Sequence, residues 1–225
     1  VQFWKGTALD RTLQGLMARQ VPMGGTSAGM AVLGQFDFTA ARGTVTSTQA
    51  LSDPYNKYMT LDPSPLSLSG GFLTPAALRN TILDAHLDSR DRMGRLMTFV
   101  ARLVAPANGM GCTGGILTAG TSASTGARGI GVDVEAALLV QGNGPNQPYT
   151  ARRVTNVSTV SDSAVYFVRP LLGASTCAPG QALTLRNVEV RKLADSATVF
   201  NLSDWSGVAP YYVDVIDGTL TSSPY

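Results

Sequence analysis

The chain has 225 residues, enough for one sizeable domain, and its 44% apolar content is ordinary for a globular core. Charged residues make up only 14%, the net charge is +2, and no run of Lys or Arg occurs, which argues against a nucleic-acid partner. No segment has the apolar length of a membrane span, and the opening VQFWKGTALDRTLQGL reads as part of a fold rather than as a signal peptide.

Residues 8–19 (ALDRTLQGLMAR) place Leu9, Leu13, Leu16 and Met17 at helical spacing. A short apolar run at 21–23 leads into PMGGTSAGMAV (22–32), where Gly24, Gly25, Ala28 and Gly29 surround Ser27, and a helix can run from Ser27 to Leu33. Residues 39–71, rich in Thr, Ser, Pro, Asp and Gly, read as a long functional loop with little regular structure. TILDAHL (81–87) suits a buried strand. Asp88 or Ser89 can cap a following helix, RDRMGRLMTFVARL, whose Met93, Leu96, Met97, Val100 and Leu103 form one apolar stripe. Residues 106–128 are loop-like again. After them the pattern turns to strands: GIGVDVEAALLVQ, ARRVTNV, AVYFVRPL, ALTLRNVEVRKL and ATVFNL. Helices early and strands late predict a single α/β domain over 1–225 with a β-rich C-terminal half.

Cys112 and Cys177 are the only cysteines, and with a single histidine they cannot form the usual structural zinc site. They read either as two free thiols or as a disulfide joining two loops. The loop settings and low charge content favour the disulfide, and with it an extracellular or periplasmic location.

Gly25-Thr26-Ser27-Ala28-Gly29 matches G-x-S-x-G, the pattern of a nucleophile elbow between a strand and a helix. A tight turn with close helix–strand packing would use the same small residues without any chemistry. The one histidine, His86, falls at the end of a predicted strand. Open α/β sheets gather their sites at the carboxyl ends of strands, where Ser27 would also lie. No other imidazole is available to take a proton from Ser27. Around His86, DAHLDSRDRMGRL (84–96) brings together Asp84, Arg90, Arg92 and Arg95, although a solvated helix face would account for any one of these arginines.

At these residues the sequence resembles the cyanophycinase family of serine peptidases, relatives of aspartyl dipeptidase. That family carries a G-T-S-A-G elbow and a D-Q-H-x-x-x-R-x-R-x-G-R-L segment. The likeness extends through GIGVDVEAALLV, AVYFV, LTLRNVEVRKL and ATVFNL, over most of residues 3–205. It implies a flavodoxin-like or class I glutamine-amidotransferase-like central sheet with flanking helices. It also implies that Ser27 is the nucleophile, His86 the general base and the Ala28 N–H one oxyanion donor. Asp84, Arg90, Arg92 and Arg95 would line a pocket whose guanidinium forks suit aspartyl carboxylates. The implied reaction is hydrolysis of cyanophycin (multi-L-arginyl-poly-L-aspartate) to β-Asp-Arg dipeptides through an acyl-enzyme, with neither metal nor organic cofactor, in a chain that can form a homodimer.

Three departures qualify the resemblance. Ala85 stands where the family usually has Gln, which keeps open a related peptidase acting on aspartyl or isoaspartyl peptides. The family's G-x-D-E segment, the source of the triad acid, becomes Gly131-Val132-Asp133-Val134-Glu135. In a strand that displacement turns the glutamate to the other face, so either a bulge restores Glu135, the favoured choice, or Asp133 serves. A strand and a Gly-Gly-Asp-Gln loop that precede FWKGT in the family have no counterpart. N-terminal strands of the sheet are thus expected to be missing, and an upstream fragment to supply the second oxyanion donor. The last two departures favour a second class of function, a catalytically inactive relative that binds acidic peptides.

Overall fold

Alternation of apolar residues in the second half of the chain builds the central sheet of the computed structural model, which describes residues 1–142, 144, 146–155 and 162–225. In chain order the elements are α1 (Ala8–Ala18), α2 (Ala28–Ala31), β1 (Asp37–Phe38), α3 (Ser47–Ser52), β2 (Leu61–Asp62), β3 (Thr81–Ala85), α4 (Met93–Leu103), β4 (Arg128–Val132), β5 (Ala137–Gln141), β6 (Thr150–Val154), β7 (Val165–Pro170), β8 (Leu185–Leu193), β9 (Phe200–Asn201), β10 (Tyr211–Ile216) and β11 (Thr219–Leu220). Six strands pair in the order β11-β10-β8-β7-β4-β3. Only β3 and β4 are parallel; the other pairs of this sheet are antiparallel. A parallel pair needs a crossover, and α4 lies on the one between β3 and β4. Strands β5, β6 and β9 form a smaller antiparallel sheet, and β1 and β2 a short ladder.

The sheet separates two apolar layers. On one side Tyr166 and Val168 of β7 join Leu96, Met97, Phe99 and Val100 of α4. On the other, Val165 and Phe167 join Phe200, Leu202 and Trp205. There the Phe167 and Phe200 rings stack at 3.7 Å, and Trp205 meets both edge-on at 5.4 and 5.5 Å. Strand β4 shows how the sequence sets the helix position. Its Ile130 and Val132 enter the aromatic layer, while Gly129 and Gly131 lie under the α4 side. A Cβ on Gly129 would stand 2.6 Å from Val100 Cγ2, and one on Gly131 2.5 Å from Leu87 Cδ2. Missing side chains on that face let α4 and the turn before it settle directly onto the strand.

The chain is mixed α/β with a strand-rich second half, as its patterning predicts. Several local expectations are corrected. Residues 39–71 are less irregular than read: they contain α3, opened by a capping box of Thr46 and Gln49, and β2, which pairs with β1 just before them. The long amphipathic helix starts at Met93 rather than after Asp88 or Ser89, and Arg92 in the N-cap position makes no side-chain cap. Helix α2 ends at Ala31, short of Leu33. Among the described residues the apolar run 21–23 pairs with no strand, and residues 21–29 are exposed. Strands β10 and β11 were not anticipated. Of the strand read in ARRVTNV, Asn156 and Val157 lie outside the described residues.

Helix α1 forms where the periodicity places it, yet buries no residue fully. It is fastened by Gln14 Nε2 donating to the Phe72 carbonyl at 2.6 Å, by a Lys5–Asp62 ion pair at 2.7 Å and by the Trp4 ring 6.2 Å from that of Phe72. Far from these, Cys112 and Cys177 are joined in a disulfide with their Cα atoms 5.2 Å apart, closing a 65-residue separation. The denatured, unreduced protein is expected to show no free thiol on titration. Replacing both cysteines by Ser should lower stability by about 4 kcal/mol on the chain-entropy model, read from denaturant melts.

Candidate active site

The elbow has one compulsory glycine. A Cβ on Gly25 would stand 2.1 Å from the Gly29 carbonyl oxygen, whereas one on Gly29 would meet nothing within 4 Å beyond its own helix. With Gly25 free of a side chain, the backbone turns back on itself and Ser27 adopts φ 52°, ψ −119°. Such a conformation costs a non-glycine residue about 1–3 kcal/mol and is held only by its surroundings. Here the Ser27 carbonyl accepts the N–H groups of Met30 and Ala31, each at 3.1 Å, and Gly29 N–H donates to Thr26 at 2.9 Å. The N–H of Ala28 donates to no group among the described residues.

His86 follows the last residue of β3 with φ 57°, a second left-handed residue. Its Nε2 lies 3.0 Å from Ser27 Oγ, so residues 59 positions apart form one hydrogen-bonded pair. Backbone contacts hold the turn beyond it. Leu87 N–H donates to Val132 O at 3.2 Å, and Arg92 N–H returns to Leu87 O at 2.8 Å. Asp88 N–H donates to Asp133 Oδ1 at 3.1 Å while Val134 N–H donates to Asp88 Oδ1 at 3.2 Å. Ser47 of α3 donates its hydroxyl to the Asp91 carbonyl. The ends of the two parallel strands are thus laced together beside the imidazole.

The four charged residues assigned to the pocket divide by environment. Asp84 and Arg95 are buried and paired through two hydrogen bonds, Nε to Oδ2 at 2.7 Å and Nη2 to Oδ1 at 2.6 Å. The remaining Arg95 nitrogen reaches Thr44 Oγ1 at 3.0 Å and Val45 O at 3.1 Å. Both are committed to the interior. Arg92 donates to Ala85 O at 2.7 Å and stands 3.8 Å from Asp84. Arg90 is exposed and enters no hydrogen bond or ion pair among the described residues. The imidazole responds to this charge pattern. Partial burial is the first cause that lowers the His86 pKa below its ordinary value, followed by Arg90 and Arg92; Asp84 opposes them and Arg95 adds a smaller effect. The surroundings of His86 therefore favour the neutral imidazole, the form a general base needs.

No carboxylate completes a triad among the described residues: His86 is hydrogen-bonded to neither Glu135 nor Asp133. Glu135 sits exposed in the turn between β4 and β5, so neither a strand flip nor a bulge describes its setting. Asp133 is buried, accepting Asp88 N–H and, at 2.7 Å, Ala164 N–H. Burial foremost raises its pKa, against the lowering effect of those backbone donors. Its role is to tie three backbone segments together. Nothing in the spacing of Asp88 and Asp133 announces that tie, because it depends on the parallel register of β3 and β4. Comparison with protein-family models, with curated proteins and with solved structures returns no match.

The single imidazole makes one outcome directly measurable by proton NMR. His86 should titrate below its unperturbed 6.5. Arg90→Gln removes a positive neighbour that disfavours the imidazolium, so the midpoint should move upward. Because Arg90 is exposed, raising the salt concentration should shrink the difference between the two proteins. A downward shift, or none at low salt, would contradict the assigned cause.

Proposed function

We propose that this chain is a serine-type exopeptidase of the cyanophycinase kind, acting on cyanophycin to release β-Asp-Arg dipeptides. One observation carries the reading: Ser27, in a strained left-handed elbow, has its hydroxyl 3.0 Å from Nε2 of the single histidine in the sequence. In the proposed reaction His86 Nε2 takes the Ser27 proton as Oγ attacks the scissile carbonyl. The free Ala28 N–H stabilises the oxyanion. Collapse of the tetrahedral intermediate breaks the C–N bond, with His86 returning the proton to the leaving amine. Water, deprotonated by the same imidazole, then hydrolyses the acyl group from Ser27.

Substrate class follows from charge. Three guanidinium groups and one buried carboxylate influence the imidazole, leaving an excess of positive charge, and the unpaired Arg90 is suited to meet an aspartyl carboxylate. Asp84, Arg92 and Arg95 serve this reading mainly as the frame of the pocket. Ala85 in place of Gln keeps a peptidase of aspartyl or isoaspartyl peptides as the nearest variant. The parallel β3–β4 unit crossing through α4 supports the finer fold reading, a flavodoxin-like or class I glutamine-amidotransferase-like sheet. The disulfide supports an extracellular or periplasmic location. A second reading, an inactive relative that binds acidic peptides, is favoured by the absence of a carboxylate hydrogen-bonded to His86 among the described residues.

A fluorophosphonate probe separates the two. The peptidase reading expects stoichiometric labelling of Ser27 and hydrolysis of insoluble cyanophycin in preference to Asp-X or isoaspartyl dipeptides. Ser27→Ala should lower turnover at least about a thousandfold without unfolding the chain. Ser27→Gly should be equally inactive yet more stable by about 1 kcal/mol, because glycine adopts φ 52° without strain. An unlabelled protein that binds polyaspartate tightly would instead be the binder.

A further inference from the structure

We infer that Tyr225 is a positioning residue for His86, acting through the turn that joins β3 to α4; only the kinetic part of this inference rests on the peptidase reading. The Tyr225 hydroxyl accepts the Met93 N–H at 3.1 Å and lies 3.0 Å from Leu87 O and 3.1 Å from Asp91 Oδ1. Its single proton goes to one of those two oxygens at a time. Leu87 directly follows His86, and Met93 directly follows Arg92. One hydroxyl therefore bridges both ends of the segment that carries Arg90 and Arg92, the two guanidinium groups with the largest effect on the imidazole.

Two features make this hydroxyl more than a surface contact. The first turn of α4 lacks a side-chain cap from its own N-cap residue, and the first-turn N–H groups of a helix have no intrahelical partner. Tyr225 supplies the acceptor for Met93, the work of a cap delivered from elsewhere in the chain. The ring, although exposed to solvent on one side, packs edge-on against Tyr166 at 5.9 Å. Burial, with Asp91 and Asp133 nearby, raises the phenol pKa well above its ordinary value, so the group remains a donor throughout the working range.

Charged groups reach His86 from each packed element: Asp84 from β3, Arg95 from α4, and Arg90 and Arg92 from the turn. Asp84 and Arg95 are locked together by their own pair. The turn is held by hydrogen bonds, those of Tyr225 among them, rather than by a buried ion pair. Without the hydroxyl, Leu87 and Met93 lose their common partner, the turn loosens, and its guanidinium groups withdraw from the imidazole.

The test is the NMR titration of His86 in Tyr225→Phe, which keeps the ring and removes only the hydroxyl. The His86 midpoint should rise toward 6.5, and amide exchange at Met93 should accelerate about tenfold as the cap is lost. In an Arg90→Gln background the same substitution should move the midpoint less, since one of the withdrawing charges is already gone. On a cleavable substrate, kcat/KM should fall about tenfold, with KM raised because Arg90 is the group suited to the substrate carboxylate, and the acid limb of kcat/KM should follow the NMR midpoint. A folded Tyr225→Phe protein with an unmoved His86 midpoint overturns the inference, as does an equal shift in the Arg90→Gln background. Should Tyr225→Phe fail to fold, Tyr225→Leu, which also removes the hydroxyl, takes its place; an unmoved midpoint in that folded protein overturns it too. Failure of every peptide substrate with the titration shifts present removes the peptidase reading and leaves the positioning role standing.

Discussion

The pair between Asp84 and Arg95 is the interaction on which the arrangement of the site depends. It is buried, doubly hydrogen-bonded, and joins the carboxyl end of β3 to the first turn of α4. Asp84 Oδ1 also accepts the N–H of Ala85 at 3.0 Å, which fixes the backbone one residue before His86 turns left-handed. Arg95 extends the hold to Thr44 and Val45, so the segment leading into α3 is drawn to the same point. Removing one partner of such a pair costs about 3–5 kcal/mol because the other charge is left buried alone. Strand, helix and loop meet at one carboxylate, and the histidine is presented from that junction.

Packing makes the junction tight enough to matter. Gly129 and Gly131 remove side chains from the face of β4 that meets α4 and Leu87, and the larger Ile130 and Val132 fill the opposite layer. The helix thus lies close to the strand, and the cations at its start lie close to the imidazole. An unpaired cation beside the imidazole is an arrangement that disfavours the imidazolium and adds no pairing energy of its own. It is a good one for receiving a carboxylate. The elbow shows the same trade at Ser27, where left-handed backbone is retained in a residue with a side chain.

Legibility followed the range of the interaction. The periodicities of α1, β3, α4, β7 and β8 were readable because each reflects which face of one element is covered. The Ser27–His86 pair was readable too, from a local turn pattern and the presence of one imidazole. Helix α3 carried its signal openly in Thr46 and Gln49, but the surrounding Ser, Thr and Pro hid it. The start of α4 was misread because Asp88, a good cap by composition, donates and accepts across to residues 133 and 134 instead. The apolar run 21–23 looked like a strand because its composition suits burial, yet among the described residues no ladder reaches it. The functions of Asp133 and Tyr225 had no sequence signal at all, since both act on backbone groups brought near only by the fold.

The disulfide lies at the opposite end of α4 from the Ser27–His86 pair. The loop that carries Cys112 wraps the carboxyl end of the helix, with Cys112 N–H on Val104 O at 3.0 Å and Ile116 N–H on Leu103 O at 2.9 Å. Eleven helical residues separate that end from the His86 turn, about 16 Å of rigid rod. Reduction would therefore lower the barrier to unfolding without first disturbing the pair at Ser27 and His86. In such a molecule redox conditions govern lifetime and leave the shape of the site alone: the bridge behaves as a timer, not as a switch.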